Sequence, residues 1–364
     1  MTAKERHFFA AGNTARGYVT FFDSVLEGME RIFLLSGGVE GMASPLIEQI
    51  GRELGKKAGE VEWIHSPFQA GEYDGVVFPR WKAAVMDYSY PRRFRPKAPG
   101  LTEISVNLQT ALHADRLAPL KEKIAFWHEE FFRRNQQAYE CFAEALRIHD
   151  EWEAIYIQNL DHEKANRVAE EMCARLYEGG KLAKKTRIRR MFLGASTPKG
   201  PVDYLPNLTE GLEKRYFIKG RAGSGKSTLL KRLLREAEER GFDAEVYHCG
   251  LDPNSLDMII LPEKSVAIFD STAPHEYFPE KESDEVIDMY ALAISPGTDE
   301  AHAAEIGVIE GRYRQAIKAA IAHLKEAEEY HLQINQAYAE NADSQRLQAI
   351  VEEIAGALPG KCAG

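Results

Sequence analysis

Residues 219–234 read KGRAGSGKSTLLKRLL, a glycine-rich stretch between an apolar segment and an amphipathic helical pattern. Its glycine, lysine and serine positions satisfy the spacing G-x-x-x-x-G-K-[ST]. Glycines let the backbone curl so that its N–H groups face phosphate oxygens, and the following helix adds its positive N-terminal end. The stretch therefore predicts a loop that binds ATP. The predicted binding residues are Gly220, Arg221, Ala222, Gly223, Ser224, Gly225, Lys226, Ser227 and Thr228.

A second apolar segment, SVAIFDST at 265–272, ends in an acid. Lys226 is expected to reach the β- and γ-phosphates, while Ser227 and Asp270 are expected to hold Mg²⁺. No glutamate follows Asp270, so His275 or its neighbour Glu276 is the nearest residue for activating water. We take Lys226, Asp270 and His275 as the catalytic candidates. His275 has two further interpretations, a contact to adenine or substrate and a loop histidine without chemistry.

The chain contains an internal duplication. Shifted by 183 positions, residues 8–94 align with 191–277 without a gap, and 19 of the 87 pairs are identical. The match resumes at an offset of 182 in the last third of each half. We place the division near 180–188, in the basic run GGKLAKKTRIRR, which we interpret mainly as an exposed linker. The predicted domains are 1–182 and 183–364.

The first copy of the loop has lost the residues that bind phosphate. Residues 34–46, LLSGGVEGMASPL, align with FIKGRAGSGKSTL, but Met42 and Ala43 stand where Gly225 and Lys226 stand in the second copy. We therefore expect a single nucleotide site, in the second half. His65/His248 and Asp74/Asp257 persist in both copies, which indicates support of the fold more than catalysis.

The coarse pattern of each half predicts an α/β domain followed by long helices. Strand-like segments such as RIFLLSG and KRYFIKG alternate with helical segments, which indicates a parallel, doubly wound sheet flanked by helices. Apolar residues then recur at steps of three and four, and polar interruptions at 159–166 and 341–347 predict a helical hairpin in each half. The stripes pack within the chain or engage a protein partner. His149 and His331 are interpreted as packed or interface histidines.

Composition restricts the class of partner and the compartment. A net charge of -10 and a pI near 5.7 argue against a general nucleic-acid binder, because phosphate backbones attract basic surfaces. The four cysteines have no zinc-ligand spacing, the N-terminus lacks an apolar signal region, and no apolar run is long enough to span a membrane. We expect a cytoplasmic protein without a membrane segment.

With its glycine-rich loop, Asp270, the STAPH that follows and the duplication over almost its whole length, the chain resembles a bacterial family of tandem P-loop ATPases. This resemblance implies two P-loop folds and ATP binding through Gly220, Gly225, Lys226, Ser227 and Asp270. It supplies no substrate. The first half departs from the pattern at Met42 and Ala43, which puts ATP turnover there in doubt.

Three functions follow from these features. The leading one is a Mg²⁺-dependent ATPase whose second half acts and whose first half is a pseudo-domain. The alternatives are a small-molecule or nucleotide kinase, suggested by the missing glutamate, and a non-enzymatic scaffold gated by ATP. If the halves face each other, Arg80, Arg92 or Arg93 is a candidate arginine finger, although a solvated basic loop is the preferred interpretation of these residues.

Overall fold

The computed structural model of the chain describes residues 3–37, 41–92 and 94–358. Over these residues the two halves have the same order of main strands and long helices, as the internal alignment predicts. None of the described helices is long and apolar enough to cross a lipid bilayer.

The first half is built from short strands followed by one very long helix. Its elements are β1 (Lys4–Phe8), β2 (Ala11–Thr14), β3 (Gly17–Thr20), α1 (Phe22–Val25), β4 (Arg31–Ser36), α2 (Ala43–Ala58), β5 (Glu60–His65), β6 (Tyr73–Phe78), β7 (Ala83–Asp87), β8 (Glu103–Asn107), α3 (Ala114–Leu117), α4 (Lys121–Gln158) and α5 (His162–Tyr177).

The second half repeats this plan with one additional short helix before its long one. Its elements are β9 (Ile188–Phe192), β10 (Gly194–Thr197), β11 (Gly200–Asp203), α6 (Leu205–Leu208), β12 (Lys214–Lys219), α7 (Lys226–Arg240), β13 (Ala244–His248), β14 (Leu256–Leu261), β15 (Val266–Asp270), β16 (Glu285–Asp288), α8 (Met289–Ala293), α9 (Thr298–Ala301), α10 (Ala303–Glu340) and α11 (Ser344–Ala357).

Each half forms one six-stranded sheet, in the order β1-β5-β6-β7-β4-β8 and in the matching order β9-β13-β14-β15-β12-β16. The expectation of a parallel sheet is wrong for one strand of each half, because β6 and β14 run antiparallel to both neighbours. The reason is the length of the connection. Only the 3-10 turns Pro79–Trp81 and Pro262–Lys264 precede β7 and β15, whereas a parallel crossover needs a dozen or more residues.

The two sheets pack face to face, and helices cover only the outer face of each sheet. One continuous apolar core joins side chains of β1 and β4–β7 to side chains of β9 and β12–β15, with α1 and α6 beside them. Helices α2 and α11 cover the outer face of the first sheet, and α7 and α5 cover that of the second. The doubly wound arrangement is therefore wrong, since the inner face of each sheet is buried by the other sheet.

The long helices α4 and α10 pack against each other along their length and run antiparallel. Phe131 shares an apolar cluster with Ile334, and towards the other end Ile155 shares one with Ile309. The predicted apolar stripes are thus buried against each other within the chain. His331 is buried in this seam and lies 3.1 Å from a carboxylate oxygen of Glu72.

Beyond the long helices, the chain crosses to the opposite half. Helix α5 packs on α7 and α8 of the second half, and α11 packs on α2 of the first. The predicted hairpin, with the second helix packed back on the long helix, is therefore wrong. The apolar face of α5 is buried against α7 in the second half, and that of α11 against α2 in the first, because an amphipathic helix needs an apolar surface to cover its apolar stripe.

The basic run 179–190 is a linker only in part. The predicted division at 182/183 falls between α5 and β9. Lys184 lies 2.7 Å from Asp243 and 2.6 Å from Glu263, while the last residues of the run belong to β9. Part of this basic run is therefore paired with acids or built into a strand, whereas a linker would leave its charged side chains in water.

Four charged side chains from equivalent positions lie between the two sheets. Arg6 donates to Glu62 at 3.2 Å and to Glu245 at 2.8 and 2.5 Å, and Arg189 donates to Glu62 at 2.8 and 2.5 Å. Although burial opposes ionisation, the two guanidinium groups lower the pKa of Glu62 and lower that of Glu245 to about 2. We call these four residues the charge chain. Its two bidentate pairs each join one half to the other.

Glu62→Gln is expected to lower the free energy of unfolding by about 3–5 kcal/mol, because it leaves the Arg189 guanidinium buried without a counter-charge. Chemical denaturation followed by circular dichroism at pH 7 measures the loss. Glu48→Gln is the control, since it breaks an exposed pair with Arg52 and should cost less than about 1 kcal/mol. Equal losses in the two variants would contradict a structural role for the charge chain.

Candidate functional site

The glycine-rich loop, residues 220–225, joins the carboxyl end of β12 to the first residue of α7. Three of its glycines have positive φ angles, +151° at Gly220, +74° at Gly223 and +90° at Gly225. A Cβ atom on Gly220 would lie 2.4 Å from Ser224 Oγ, so the tight turn has no room for a side chain there. These backbone angles explain the glycine spacing without reference to any ligand.

Lys226 begins α7 and points back over the loop. Its Nζ donates a hydrogen bond of 2.8 Å to the carbonyl oxygen of Arg221 and lies 3.6 Å from Asp270 Oδ2. The same carbonyl oxygen accepts a 2.8 Å bond from Ser224 Oγ. The lysine ammonium is therefore held at the mouth of the loop, next to the acid that the sequence pairs with it.

Ser227 has a backbone partner that its counterpart in the first half shares. Its Oγ accepts a 3.1 Å hydrogen bond from the N–H of Leu256, and Ser44 Oγ accepts the equivalent 2.9 Å bond from Tyr73. This bond fastens α7 and α2 to the neighbouring antiparallel strand. It accounts for the serine in the half that lacks the lysine, and it leaves the hydroxyl of Ser227 a second lone pair.

Asp270 ends β15, the strand that pairs in parallel with β12. Its Oδ1 accepts hydrogen bonds from the N–H of Thr272 at 3.1 Å and from the Thr272 hydroxyl at 2.6 Å. Oδ2 is the oxygen near Lys226. The structure thus brings the predicted loop, Lys226, Ser227 and Asp270 together at one edge of the second sheet.

His275 is held by an acid that the sequence did not single out. Its Nδ1 lies 2.7 Å from Oδ2 of Asp203 on β11, and Oδ1 of that acid accepts a 2.7 Å bond from the Tyr277 hydroxyl. Burial lowers the pKa of His275, but the bond to Asp203 and the charges of Asp257 and Asp270 outweigh it and raise the pKa above 6.5. Glu276 is mostly exposed and lies 3.6 Å from Lys219.

Asp257 is a second acid at this edge, and the sequence analysis assigned it to the fold. It lies on β14 and is 9% exposed. Burial raises its pKa to about 6, although the nearby positive charges of His275 and Lys226 act in the opposite direction. Retention in both halves suggested a supporting role. Only the tertiary structure places Asp257 close to Lys226, Asp270 and His275.

The corresponding place in the first half is occupied by Arg92, which aligns with His275. Its Nε donates to Asp74 Oδ1 at 2.6 Å, and its Nη1 lies 3.4 Å from Asp87 Oδ2. All three side chains are almost completely buried. Arg92 is therefore no arginine finger for the second half, because its guanidinium is engaged inside its own half.

The other two arginine-finger candidates gain no support. Arg80 is exposed in the 3-10 turn that precedes β7, at the sheet edge opposite to the carboxyl end of that strand. Arg93 lies outside the described residues, as do Gly38, Val39 and Glu40 of the first-half loop.

Helix α4 of the first half forms a wall beside the second-half loop. A Cβ atom on Gly223 would lie 2.5 Å from the main-chain oxygen of Glu153 on α4. Arg221 donates to Asp299 at 3.0 and 2.7 Å, and the same carboxylate accepts a 2.8 Å bond from Tyr156 of α4. The spacing of residues along the chain contained no signal for these contacts.

His65 and His248 lie between the halves, away from the loop. His65 stacks on Tyr204 at 4.3 Å between ring centroids, and His248 stacks on Phe21 at 4.4 Å. Burial lowers the pKa of His65 to about 3 and that of His248 to about 4. Both rings are neutral at pH 7 and act as packing elements, as their presence in both copies suggests.

The fold and the site define an internally duplicated α/β protein with two facing mixed sheets and one loop-and-carboxylate site in its second half. Comparisons with protein-family models, with curated proteins and with solved structures find no match to the chain. The site's geometry and chemistry therefore carry the functional argument.

Gly223→Ala is expected to destabilise the protein more than Gly211→Ala. Both glycines have nearly the same φ, +74° and +76°, so an added Cβ costs each about 1–2 kcal/mol of backbone strain. A Cβ on Gly211 would meet open space, whereas a Cβ on Gly223 would meet the α4 backbone. Overpacking adds about 1–3 kcal/mol to Gly223→Ala alone. Denaturant unfolding of both variants measures the difference, and equal losses would mean that α4 does not confine the loop.

The pKa of His275 is expected to lie above 6.5 and to fall in Asp203→Asn. The ion pair stabilises the fold fully below about pH 6.5, and this contribution is lost as pH rises through the raised pKa of His275. At the acid end it is lost as pH falls below 3.8 through the lowered pKa of Asp203. NMR titration of ring-labelled histidines, assigned with His275→Gln, measures the pKa. Tyr277→Phe, which keeps the ion pair, is the control, and an unchanged pKa in Asp203→Asn would reject the pairing.

Proposed function

We propose that the second half binds Mg-ATP through the glycine-rich loop and that the protein is an ATPase. One observation carries the proposal: a loop with three positive-φ glycines, a lysine ammonium and a strand-terminal aspartate meet at one sheet edge. Open α/β sheets bind ligands at the carboxyl ends of their strands, where this loop lies. Such a loop with a helix start behind it is a favourable environment for phosphate.

The residues of this site match a triphosphate with Mg²⁺ in their charge and in the hydrogen-bonding and ligand positions that they still have available. Lys226 Nζ now donates to a carbonyl oxygen of its own loop, a neutral acceptor that a phosphate oxygen can replace with a stronger charge-assisted bond. Ser227 and Asp270 are the residues that would hold Mg²⁺, which supplies neutralisation of charge on the phosphates. Gly220 and Gly225 keep side chains out of the turn against which the phosphates would bind.

His275 has the environment of a residue that handles a proton. Asp203 fixes its Nδ1, so the opposite ring nitrogen is the one available to substrate or water. Its raised pKa keeps a larger fraction of the ring protonated near neutral pH than an isolated histidine has. We therefore assign His275 the role of orienting or protonating the transferred group, and not that of a general base that abstracts a proton.

The first half serves as a pseudo-domain in this proposal. Ala43 replaces the lysine, and Met42 is buried where the second half has a positive-φ glycine. Arg92 neutralises both carboxylates of the equivalent site. A nucleotide with Mg²⁺ therefore finds neither the ammonium nor the free acids there.

A second candidate function is an ATP-gated change between the halves. The observation that favours it is the contact of the loop with α4, through Gly223 beside Glu153 and through Arg221, Asp299 and Tyr156. A phosphate that moves the loop by a fraction of an ångström would press on a helix of the other half.

A kinase remains the alternative chemistry, because no glutamate follows Asp270.

Lys226→Ala is expected to weaken Mg-ATP binding by about 10- to 100-fold, because a charge-assisted hydrogen bond contributes about 1.5–3 kcal/mol. Isothermal titration calorimetry measures the dissociation constant and the stoichiometry, expected to be one ATP per chain. Lys231→Ala, which removes an exposed lysine farther along α7, is the matched control. Unchanged affinity in Lys226→Ala would remove the loop from the binding site.

Incubation with ATP labelled on its γ-phosphate, together with a metabolite extract, distinguishes the three functions. Release of inorganic phosphate alone supports the ATPase. A labelled organic product supports the phosphotransferase instead. Recovery of intact ATP from a protein that binds it supports the scaffold.

A further inference from the structure

Asp257 and Asp270 lie side by side at the end of two neighbouring strands. Strands β14 and β15 are antiparallel, and Met258 pairs with Phe269, so the next step in register brings the two acids together. Met258 and Phe269 point into the core between the sheets. Asp270 follows Phe269 and points to the opposite face, where Lys226 of α7 lies 3.6 Å from it. Asp257 is close enough to Asp270, Lys226 and His275 for their charges to shift its pKa.

Asp257 has no positively charged partner of its own. Among the described residues, no lysine, arginine or histidine nitrogen lies within ion-pair distance of its carboxylate, whereas Asp270 lies 3.6 Å from Lys226. The nearby Cys249 thiol lowers the pKa of this carboxyl without replacing a counter-ion. A carboxylate that is nine-tenths buried and has no ion-pair partner has lost most of its hydration, and the charges of His275 and Lys226 act on it only from a longer distance.

The first half contains the same two acids with a cation between them. Asp74 and Asp87 align with Asp257 and Asp270, and the Arg92 guanidinium contacts both, at 2.6 and 3.4 Å. The second half has His275 at the position of Arg92, and that ring turns to Asp203 instead. The duplication thus preserved a two-carboxylate pocket in both halves and kept a built-in cation in only one.

We propose that Asp257 and Asp270 together bind one divalent metal ion, Mg²⁺ in the cell, in the place that the Arg92 guanidinium takes in the first half. The proposal rests on the proposed function for the identity of the metal, since Mg²⁺ accompanies ATP. It adds a ligand, Asp257, to the pair Ser227 and Asp270. It also gives Arg92 a role as the first half's permanent substitute for the metal.

The chemistry of the pocket fits Mg²⁺ better than a softer metal. Mg²⁺ takes oxygen ligands, is bound in proteins through one or two carboxylates, and completes its shell with water and phosphate oxygens. Two carboxylates and the Ser227 hydroxyl are of this kind. Two acids at one place also bind the ion without nucleotide more firmly than one acid can, and this difference is measurable.

The test uses Mn²⁺ as the probe, followed by electron paramagnetic resonance of the free ion, on the full chain with and without ATP. We expect the wild type to bind one Mn²⁺ per chain, and Asp257→Asn and Asp270→Asn each to weaken this binding by at least about tenfold. Asp257→Asn has nearly the same shape and removes an unpaired buried charge, so it is expected to stay folded. Circular dichroism melting in EDTA checks this.

Asp150→Asn is the matched control, with the same change of residue and of charge. Asp150 is exposed on α4, where it forms a group with His149 and Glu153 whose ligand atoms lie within 4.8 Å of one another. If Asp150→Asn abolishes Mn²⁺ binding and Asp257→Asn does not, the ion binds on α4 and the proposal is overturned. Mn²⁺ affinity in Asp257→Asn within about twofold of the wild type overturns it as well.

His275→Arg provides a second variant that does not remove an acid. It introduces into the second half the cation of the first, and the arginine is expected to pair with Asp257 and Asp270 and to displace Mn²⁺. Unaltered Mn²⁺ binding in His275→Arg together with unaltered binding in Asp257→Asn excludes the pocket.

The measurement without ATP separates this proposal from the proposed function. If the wild type binds Mn²⁺ through Asp257 but binds no ATP in calorimetry, the metal site stands and the ATPase fails. If ATP binds in EDTA equally well to the wild type and to Asp257→Asn, and Mn²⁺ binding is also equal, the nucleotide site stands and the role of Asp257 as a ligand fails.

Discussion

The charge chain between the two sheets sets the relation of the halves to each other. Arg6 and Arg189 each bind the glutamate of the opposite half through two hydrogen bonds, so separation of the sheets would leave buried charges without partners. The apolar side chains of both inner faces surround this group and favour the same contact. Hydrophobic burial supplies the non-directional attraction, while the bidentate pairs add a defined geometry. A single register of the two sheets satisfies both requirements.

Because helices of each half pack on the other, the site in the second half also depends on contacts from the first half. The second-half loop is bounded by α4 of the first half, and the helix that follows the loop is covered by α5, also from the first half. The catalytic candidates thus all come from the second half, while two of the surfaces that confine them come from the first. The first half is, in this arrangement, a structural part of the candidate site in the second half.

The two halves also show how one pocket accommodates two electrostatic solutions. In the first half, a buried arginine lies between two aspartates and neutralises their charge within the chain. In the second, Lys226 is partly engaged with Asp270, His275 is engaged with Asp203, and Asp257 has no ion-pair partner among the described residues. The difference arises at aligned positions, with alanine in place of lysine and arginine in place of histidine. The shared backbone, including the serine bond to the antiparallel strand, is the same in both.

The sequence by itself determined the duplication, the α/β class, the strand–loop–helix at 214–240 and the adjacency of Lys226 and Asp270, because these depend on local spacing and on which end of a strand a residue follows. It also indicated that His65 and His248 belong to the fold. The antiparallel direction of β6 and β14 follows from the short connections to β7 and β15, which are too short for a parallel crossover. Tertiary structure alone decided that the sheets face each other and that α5 and α11 change halves. Each of these depends on which apolar surface offers a helix or sheet the larger burial, a property of two distant segments and not of either one. For the same reason, the contacts of Asp203, Asp257 and Arg92 could be identified only in the tertiary structure. The charged groups that surround each of them are distant from it along the chain.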